Sequence, residues 1–288
     1  MLKTRMIGVL VVKDGVVVQS VNFKRYLPVG KPAVAVEYLN RWGIDEIVLL
    51  DVDATVHART PYSSLIEESA EFCHVPLAFG GGISTVSDIE MIIRAGADKV
   101  AINSSFFKNP KLVSEGANVF GSQCILVSID VRKNTQGDFE AYTHSGTKAT
   151  GLSAAAAAVL AQDSGAGEIL VNSIDRDGAK NGYDLELIRD VTKAVSIPVI
   201  ACGGVGKPSH FHEAAPLEVS ALAAANFFHF TEHSVITAKQ FLKNTVNIRL
   251  DTYAQYNDME FDRLERVAKM SDDSLEKLRF EYIPEEVI

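Results

Sequence analysis

Two glycine runs carry the first chemical hint in this sequence. Gly80-Gly81-Gly82 and Gly203-Gly204 each follow a short apolar run. Glycine lets backbone N–H groups close around an anion, so both runs could ring a phosphate, although tight turns use the same residue. Asn103-Ser104 and Ala225-Asn226 follow two further apolar runs and add donors to the same two pockets. The candidate anion set is therefore Gly81, Gly82, Asn103 and Ser104 at one end, with Gly178, Gly203, Gly204 and Asn226 at the other. Paired loops of this kind suggest a phosphorylated small molecule with two phosphate ends. Structural turns are the alternative.

Carboxylates supply the acid and base candidates. Asp130 follows the run Ile125–Ile129, where a carboxylate facing a pocket could transfer a proton. Asp51 and Asp53 close another run and, two residues apart, can point to one side of an extended chain. The stretch from Ser173 to Gly178, followed by Lys180-Asn181-Gly182-Tyr183, has the polar density of a substrate loop. His210-x-His212 and His229-x3-His233 lack a cysteine or carboxylate set at ligand spacing, so packing or surface roles are expected and no metal. No cofactor motif, Walker loop or Ser-His-Asp triad is evident.

These residues need a scaffold that brings distant loops together. Apolar runs at Ile7–Val12, Glu46–Asp51, Leu77–Phe79, Lys99–Ile102, Ile125–Ile129, Glu168–Asn172, Val199–Cys202 and Ala221–Ala224 read as parallel strands covered on both faces. Each intervening segment is long enough for a crossover helix. Eight such units predict a closed (βα)8 TIM barrel, with function at the strand C-termini. An internal echo predicts two half-barrels: Val75–Ile83 resembles Ile197–Val205, Gly43–Ile47 resembles Gly165–Ile169, and Ile7–Lys13 resembles Ile125–Val131. Residues 1–250 form the predicted barrel. Residues 251–288 are polar and acidic, with apolar pairs Leu264/Val267 and Leu275/Leu278 at helical spacing, and read as a C-terminal helical extension. It would be solvated or self-docking, or would dock another protein.

A net charge of −9 over 288 residues argues against general binding to nucleic acid or an anionic membrane. Cys73, Cys124 and Cys202 are far apart without CxxC spacing, as expected of free thiols in a reducing compartment. The apolar start Met6–Val12 is stopped by Lys13 and Asp14 with no cleavage site, and no run approaches about 18 apolar residues. A cytoplasmic protein is expected.

Several stretches together resemble the HisF family, the cyclase subunit of imidazole glycerol phosphate synthase. They are Lys13-Asp14-Gly15, Val21-Asn22-Phe23, Gly43-Ile44-Asp45-Glu46, Gly80–Ile83, Gly96–Val100, Gly121-Ser122-Gln123, Ser173–Gly178 and Phe228-His229-Phe230. The resemblance implies a HisH-like glutaminase partner whose ammonia passes through the barrel to a bis-phosphorylated ribulosyl nucleotide. It also assigns Arg5, Glu46, Lys99 and Glu168 to an ammonia gate at the bottom of the barrel, with a salt-bridge cluster alone as the alternative, and Asp98 to the partner interface.

The same resemblance exposes departures. The family uses aspartates on strands one and five, and Asp130 matches the second. The first is replaced by Val11, which cannot transfer a proton. A family lysine is Gln19, and Asn172 and Asn226 stand where hydroxyl residues are usual. The pattern is similar to that of diverged paralogues in surface-polysaccharide (lipopolysaccharide) pathways, where a third amidotransferase protein takes part and ammonia goes to an acetamidino sugar. The expectation is an ammonia-conducting subunit of a glutamine amidotransferase complex, with a synthase-like role of the lyase family in which standard cyclase turnover is doubtful. Two alternatives stand: a working histidine-pathway cyclase in which Asp53 replaces the lost acid, and a non-catalytic scaffold that activates its glutaminase.

Overall fold

The computed structural model describes residues 3–230, 233–250, 259–268, 271 and 273. Twelve strands and ten α-helices are formed among these residues. The strands are β1 (Arg5–Lys13), β2 (Val16–Val21), β3 (Arg25–Gly30), β4 (Glu46–Asp51), β5 (Leu77–Gly80), β6 (Lys99–Ile102), β7 (Ile125–Lys133), β8 (Phe139–Thr143), β9 (Lys148–Ser153), β10 (Glu168–Ser173), β11 (Val199–Cys202) and β12 (Ala221–Ala224). The helices are α1 (Pro32–Arg41), α2 (Val52–Val56), α3 (Ser63–Ala70), α4 (Val86–Arg94), α5 (Ser104–Lys108), α6 (Lys111–Phe120), α7 (Ala154–Asp163), α8 (Leu185–Ala194), α9 (Ser209–Ala214) and α10 (Ser234–Leu242).

Eight strands close a parallel barrel in the order β1, β4, β5, β6, β7, β10, β11, β12 and back to β1. All eight predicted runs are barrel strands, and the fold is the TIM barrel expected. Strands buried on both faces need apolar residues at successive positions, which is why their signal was continuous rather than alternating. One face of each strand fills the interior: Ile7, Val9, Val48, Ala78, Ala101, Leu126, Leu170, Ile200 and Ala223 meet there. The other face packs on the surrounding helices, where Leu49, Phe79, Val127, Ile169 and Leu222 join the main core.

Helix ends follow local chemistry. Thr85 and Asp88 form a capping box at the start of α4, and Ser153 and Asp184 cap α7 and α8. Before two barrel strands an aspartate carboxylate accepts a backbone N–H from the preceding barrel strand: Asp45 from Met6 and Asp98 from Leu77, each at 2.8 Å.

The sequence reading missed two antiparallel hairpins. β2 and β3 extend from β1, and β8 and β9 extend from β7. They occupy matching places in the two halves, each leaving the mouth end of a strand. The echo of Ile7–Lys13 with Ile125–Val131 is also out of register by one residue. Ile7 pairs with Glu46 on the next barrel strand, as Leu126 pairs with Glu168, so Ile7 corresponds to Leu126. A one-residue slip exchanges the two faces of a strand, and only the pairing fixes it.

Of the predicted C-terminal helices, Leu275 and Leu278 lie outside the described residues. Leu264 and Val267 lie in a turn closed by a bridge between Phe261 and Val267, not in a helix, and both are exposed. Asp262 holds that turn by accepting from the N–H groups of Leu264 and Arg266. Glu265 ties it to the barrel through Lys207 at 2.8 Å and the Ser209 N–H at 2.6 Å.

Candidate functional site

The carboxyl ends of the barrel strands surround a cavity whose floor includes Val9, Val11, Leu50, Ser128, Leu170 and Asp130. Asp130 lies on β7, three residues before its end, because that strand continues into the hairpin. Its Oδ2 accepts from Asn103 Nδ2 at 2.8 Å and its Oδ1 from Asn172 Nδ2 at 3.1 Å. The carboxylate touches the cavity but is otherwise packed among protein atoms. Burial pushes its pKa up to about 6; the charge of Asp177 adds to the rise, and the two amides oppose it. A group titrating there can act as a proton donor or acceptor near neutral pH. Asn103 is fixed with its nitrogen toward Asp130, and its buried Oδ1 has no hydrogen-bond partner among the described residues.

Val11 lines the same cavity from β1. Its β4 neighbour is Leu50, where Asp130 has Asn172. The half of the barrel that lacks an acid therefore also lacks the amide that would orient one.

Asp51 and Asp53 do not point together, contrary to the reading of an extended pair. β4 ends at Asp51 and α2 begins at Val52, so the chain turns between them. Asp51 caps α2 and binds the Arg59 guanidinium at 2.8 Å, beside the cavity. Asp53 turns outward to Lys13 Nζ at 2.9 Å and the Asp14 N–H at 2.8 Å, and does not line the cavity. Burial favours the neutral form of Asp53, but Lys13 and the Asp14 N–H hold its carboxyl below the ordinary value. A carboxylate so held is poorly suited to act as an acid at the mouth.

The glycine loops reach the cavity on opposite sides. Gly81 and Gly82 stand beside Ser104 and Ser105, and Gly203 and Gly204 beside Gly178 and Asn226. Packing alone demands some of these glycines. At Gly81 (φ 122°) a Cβ would fall 2.2 Å from the Asp51 carbonyl oxygen, and at Gly204 (φ 96°) 2.1 Å from that of Gly182. Ser104 accepts the His144 N–H at 3.1 Å, leaving its own hydroxyl hydrogen to serve a ligand. Asn226 is committed elsewhere: its amide accepts the Ser20 N–H at 3.1 Å and donates to the Ser20 carbonyl at 2.6 Å.

Sequence reasoning did not single out the groups that hold the β2–β3 hairpin over the mouth. Asp177 Oδ2 accepts from the Ser20 hydroxyl at 2.6 Å and the Phe23 N–H at 3.0 Å. Burial raises the Asp177 pKa, and those two donors oppose the rise. Tyr26 on β3 also lines the cavity. The available signal was the density of polar residues at Ser173–Gly178, which names a loop without naming its partner.

At the opposite end of the barrel the four predicted gate residues meet. Glu46 and Glu168 each bind both Arg5 and Lys99; the lysine contacts are 2.7 and 3.0 Å. Burial lowers the Arg5 pKa, but the two carboxylates overcome it and hold it above its ordinary value. A closed ring satisfies four charges that would each be costly alone. Asp98 is exposed near this end, its carboxylate capping Leu77. The histidines are dispersed: His210 is buried and accepts the Gly206 N–H at 3.1 Å, His212 is exposed, and burial pushes the pKa of His229 down to about 4. Among the described residues no helix is long and apolar enough to cross a membrane.

Known proteins match along almost the whole barrel. The model of a family described as "Histidine biosynthesis protein" matches residues 5–234. A protein of Vibrio vulnificus (strain YJ016), provisionally named imidazole glycerol phosphate synthase subunit hisF2, is 42% identical over 270 residues, covering 92% of this chain and 98% of that protein. Imidazole glycerol phosphate synthase subunit HisF of Bacillus cereus (strain AH187) is 45% identical over 252 residues, covering 87% of this chain and 100% of that protein.

Proposed function

The chain belongs to the histidine biosynthesis protein family as a HisF-like subunit, and from that premise we propose that it takes ammonia from a HisH-like glutaminase and passes it through the barrel to an acceptor at the mouth. The acceptor chemistry has diverged from cyclisation, toward amidination of a surface-polysaccharide sugar with a third protein. The observation that carries this reading is the asymmetry between the two ends. The ring of Arg5, Glu46, Lys99 and Glu168 is complete, whereas Val11 stands where the family has an acid.

The interior fits the task. Between the ring and the mouth lie apolar side chains, small ones such as Ala78, Ala101, Ala221 and Ala223 among larger ones such as Ile7, Leu126, Leu170 and Ile200, which disfavour a charged ammonium ion and tolerate neutral ammonia. Separation of one ion pair would open the ring. Asp130 then stands beside the arriving nitrogen as acid or base, oriented by Asn103 and Asn172. The cavity and its two glycine loops favour a subunit that binds an acceptor over a bare scaffold. The position of Asp53 counts against its use as a substitute acid.

Reconstitution with the cognate glutaminase tests this. Glutamine hydrolysis should rise when the chain is added, and an Arg5→Ala variant should weaken the stimulation. Hydrolysis unaffected by the chain would remove the partner and the ammonia route together. The Val11 variant described below separates diverged chemistry from an active cyclase.

A further inference from the structure

A second cavity adjoins the mouth and shares Thr55, Gly82, Ser104 and Ser105 with the first. The charge of the two is opposite. Among the described residues, the main cavity is lined by Asp51, Asp130 and Asp177 and by no lysine, arginine or histidine, and the adjoining cavity by Arg59, Lys108, His144 and Lys148 and by no aspartate or glutamate. Arg59 is already bound to Asp51, so Lys108 and Lys148 carry the surplus positive charge. Both are exposed, and neither makes a salt bridge among the described residues. In a chain of net charge −9, an acid-free cationic recess beside an anion cradle focuses a positive field on that point.

Three elements build the recess, and one turn locks them together. Ser104, Phe107 and Lys108 come from α5, Arg59 follows α2, and His144 and Lys148 come from the β8–β9 hairpin. The hairpin turn is pinned at both sides: the His144 N–H donates to Ser104 Oγ at 3.1 Å, and Ser145 Oγ donates to the Val52 carbonyl at 3.3 Å. His144 and Ser145 hold left-handed backbone angles, φ 52° and 54°, to make that turn. At the other pole, Gly178, Gly203 and Gly204 offer backbone groups, and Arg176 packs on Gly204 and Lys180 on Gly206. Cations therefore flank both poles, and the Gly82 end adds a second cavity lined by Lys108 and Lys148.

We propose that the ligand of this site carries a phosphoanhydride at one end. One phosphoryl group sits on the cradle of Gly82 and Ser104, and the next lies in the adjoining recess against Lys108 and Lys148. A nucleoside diphosphate derivative fills both the cradle and the recess; a ligand with a monophosphate at this end leaves the recess empty. Lysine ammonium groups make charge-assisted bonds to phosphoryl oxygens, so the second phosphoryl group should bring a measurable gain. The assignment rests on the proposed reading of the mouth as the acceptor site and names the class of acceptor.

Calorimetry on the full chain tests it with inorganic phosphate, inorganic pyrophosphate, and adenosine and uridine diphosphates. Pyrophosphate is expected to bind at least about tenfold tighter than phosphate, a difference of about 1.4 kcal/mol. A double Lys108→Ala, Lys148→Ala variant, at two exposed positions, should shrink the ratio to about twofold. A nucleoside diphosphate binding at least as tightly as pyrophosphate supports an organic ligand, and a clear preference for the free inorganic ion overturns it. Equal affinities in the parent, no binding of either inorganic probe, or a ratio unchanged in the double variant would also overturn it. Glutaminase stimulation together with equal affinities would sink this inference alone; tight pyrophosphate binding without stimulation would sink the functional reading alone.

Discussion

Val11 and Asp130 occupy corresponding positions in the two halves of the barrel. Val11 on β1 is registered against Leu50 on β4, and Asp130 on β7 against Asn172 on β10. Both line one cavity. On one side a carboxylate is gripped by two amides; on the other an apolar side chain faces another. Val11 is therefore set in an apolar pair rather than in a site equipped for an acid.

A Val11→Asp variant restores the acid. Ammonia-driven turnover of the ribulosyl nucleotide should be absent or slight in the parent and about 10²–10⁴-fold higher in the variant, the usual worth of a positioned acid or base. Leu50 offers the new carboxylate no hydrogen bond, so the gain should fall toward the lower end. Robust turnover in the parent would identify an active cyclase with a relocated acid.

The buried environment of Asp130 predicts an inverse relation between stability and pH. Its pKa rises from the ordinary carboxylate value to about 6 on folding, so the native state binds the proton more strongly. Its contribution to stability is favourable below the unfolded value and is lost as pH rises through about 6. Asp130→Asn should thus be more favourable at pH 7.5 than at pH 4 by about 2 kcal/mol, since the acceptor that one amide loses weighs equally at both. Urea unfolding at the two pH values measures this; an equal effect at both would remove the raised pKa. Any acid–base step through Asp130 should break near pH 6, and the break should vanish in the variant.

The closed ring predicts a marked cost for removing one member. Lys99→Met leaves Glu46, only 1% exposed, and Glu168 sharing Arg5 alone. Removing one partner of a buried pair costs about 3–5 kcal/mol, and partial exposure of the two cations here reduces the expectation to about 2–3 kcal/mol. Adding Glu46→Gln to that variant should recover part of the loss. A denaturation midpoint unchanged in Lys99→Met would show that the ring contributes little to stability.

Asp177 fastens the β2–β3 hairpin, and its removal should be felt locally. Asp177→Ala leaves the buried Ser20 hydroxyl and the Phe23 N–H without their acceptor, a cost of about 1–3 kcal/mol. Hydrogen exchange at Phe23 should accelerate, while exchange in β10 and β11 should change only by the global loss. Asp177→Asn, which retains an acceptor oxygen, should recover much of the protection. Unaltered exchange at Phe23 in the alanine variant would show that the hairpin is held by other contacts.

The eight barrel strands were legible because strands buried on both faces are continuously apolar; the grouping of Glu46, Lys99 and Glu168 came from the family resemblance, and each begins such a strand. The glycine loops were legible for a comparable reason: positive φ and close backbone approach restrict positions 81 and 204 to one residue type. Asp53 was misjudged because two residues after a strand end mean opposite things in a strand and in a helix, and α2 begins between it and Asp51. The hairpin strand Arg25–Gly30 escaped notice because it is mostly exposed and carries no apolar alternation.

By itself the sequence determined the barrel and its two-fold repeat, since both are written in residue type and spacing; the reading of Val11 as a replaced acid came from the family resemblance. The tertiary structure decided which groups act on one another. It closed four charges from four separate strands into a ring and tied Asn226 to a hairpin roughly two hundred residues away. It also divided the mouth into an acidic cavity and a cationic recess. Those relations depend on strand register and on the direction in which each loop leaves the barrel. Both are fixed only when all eight strands close at once, because each one's facing is set by its neighbours and not by its own residues.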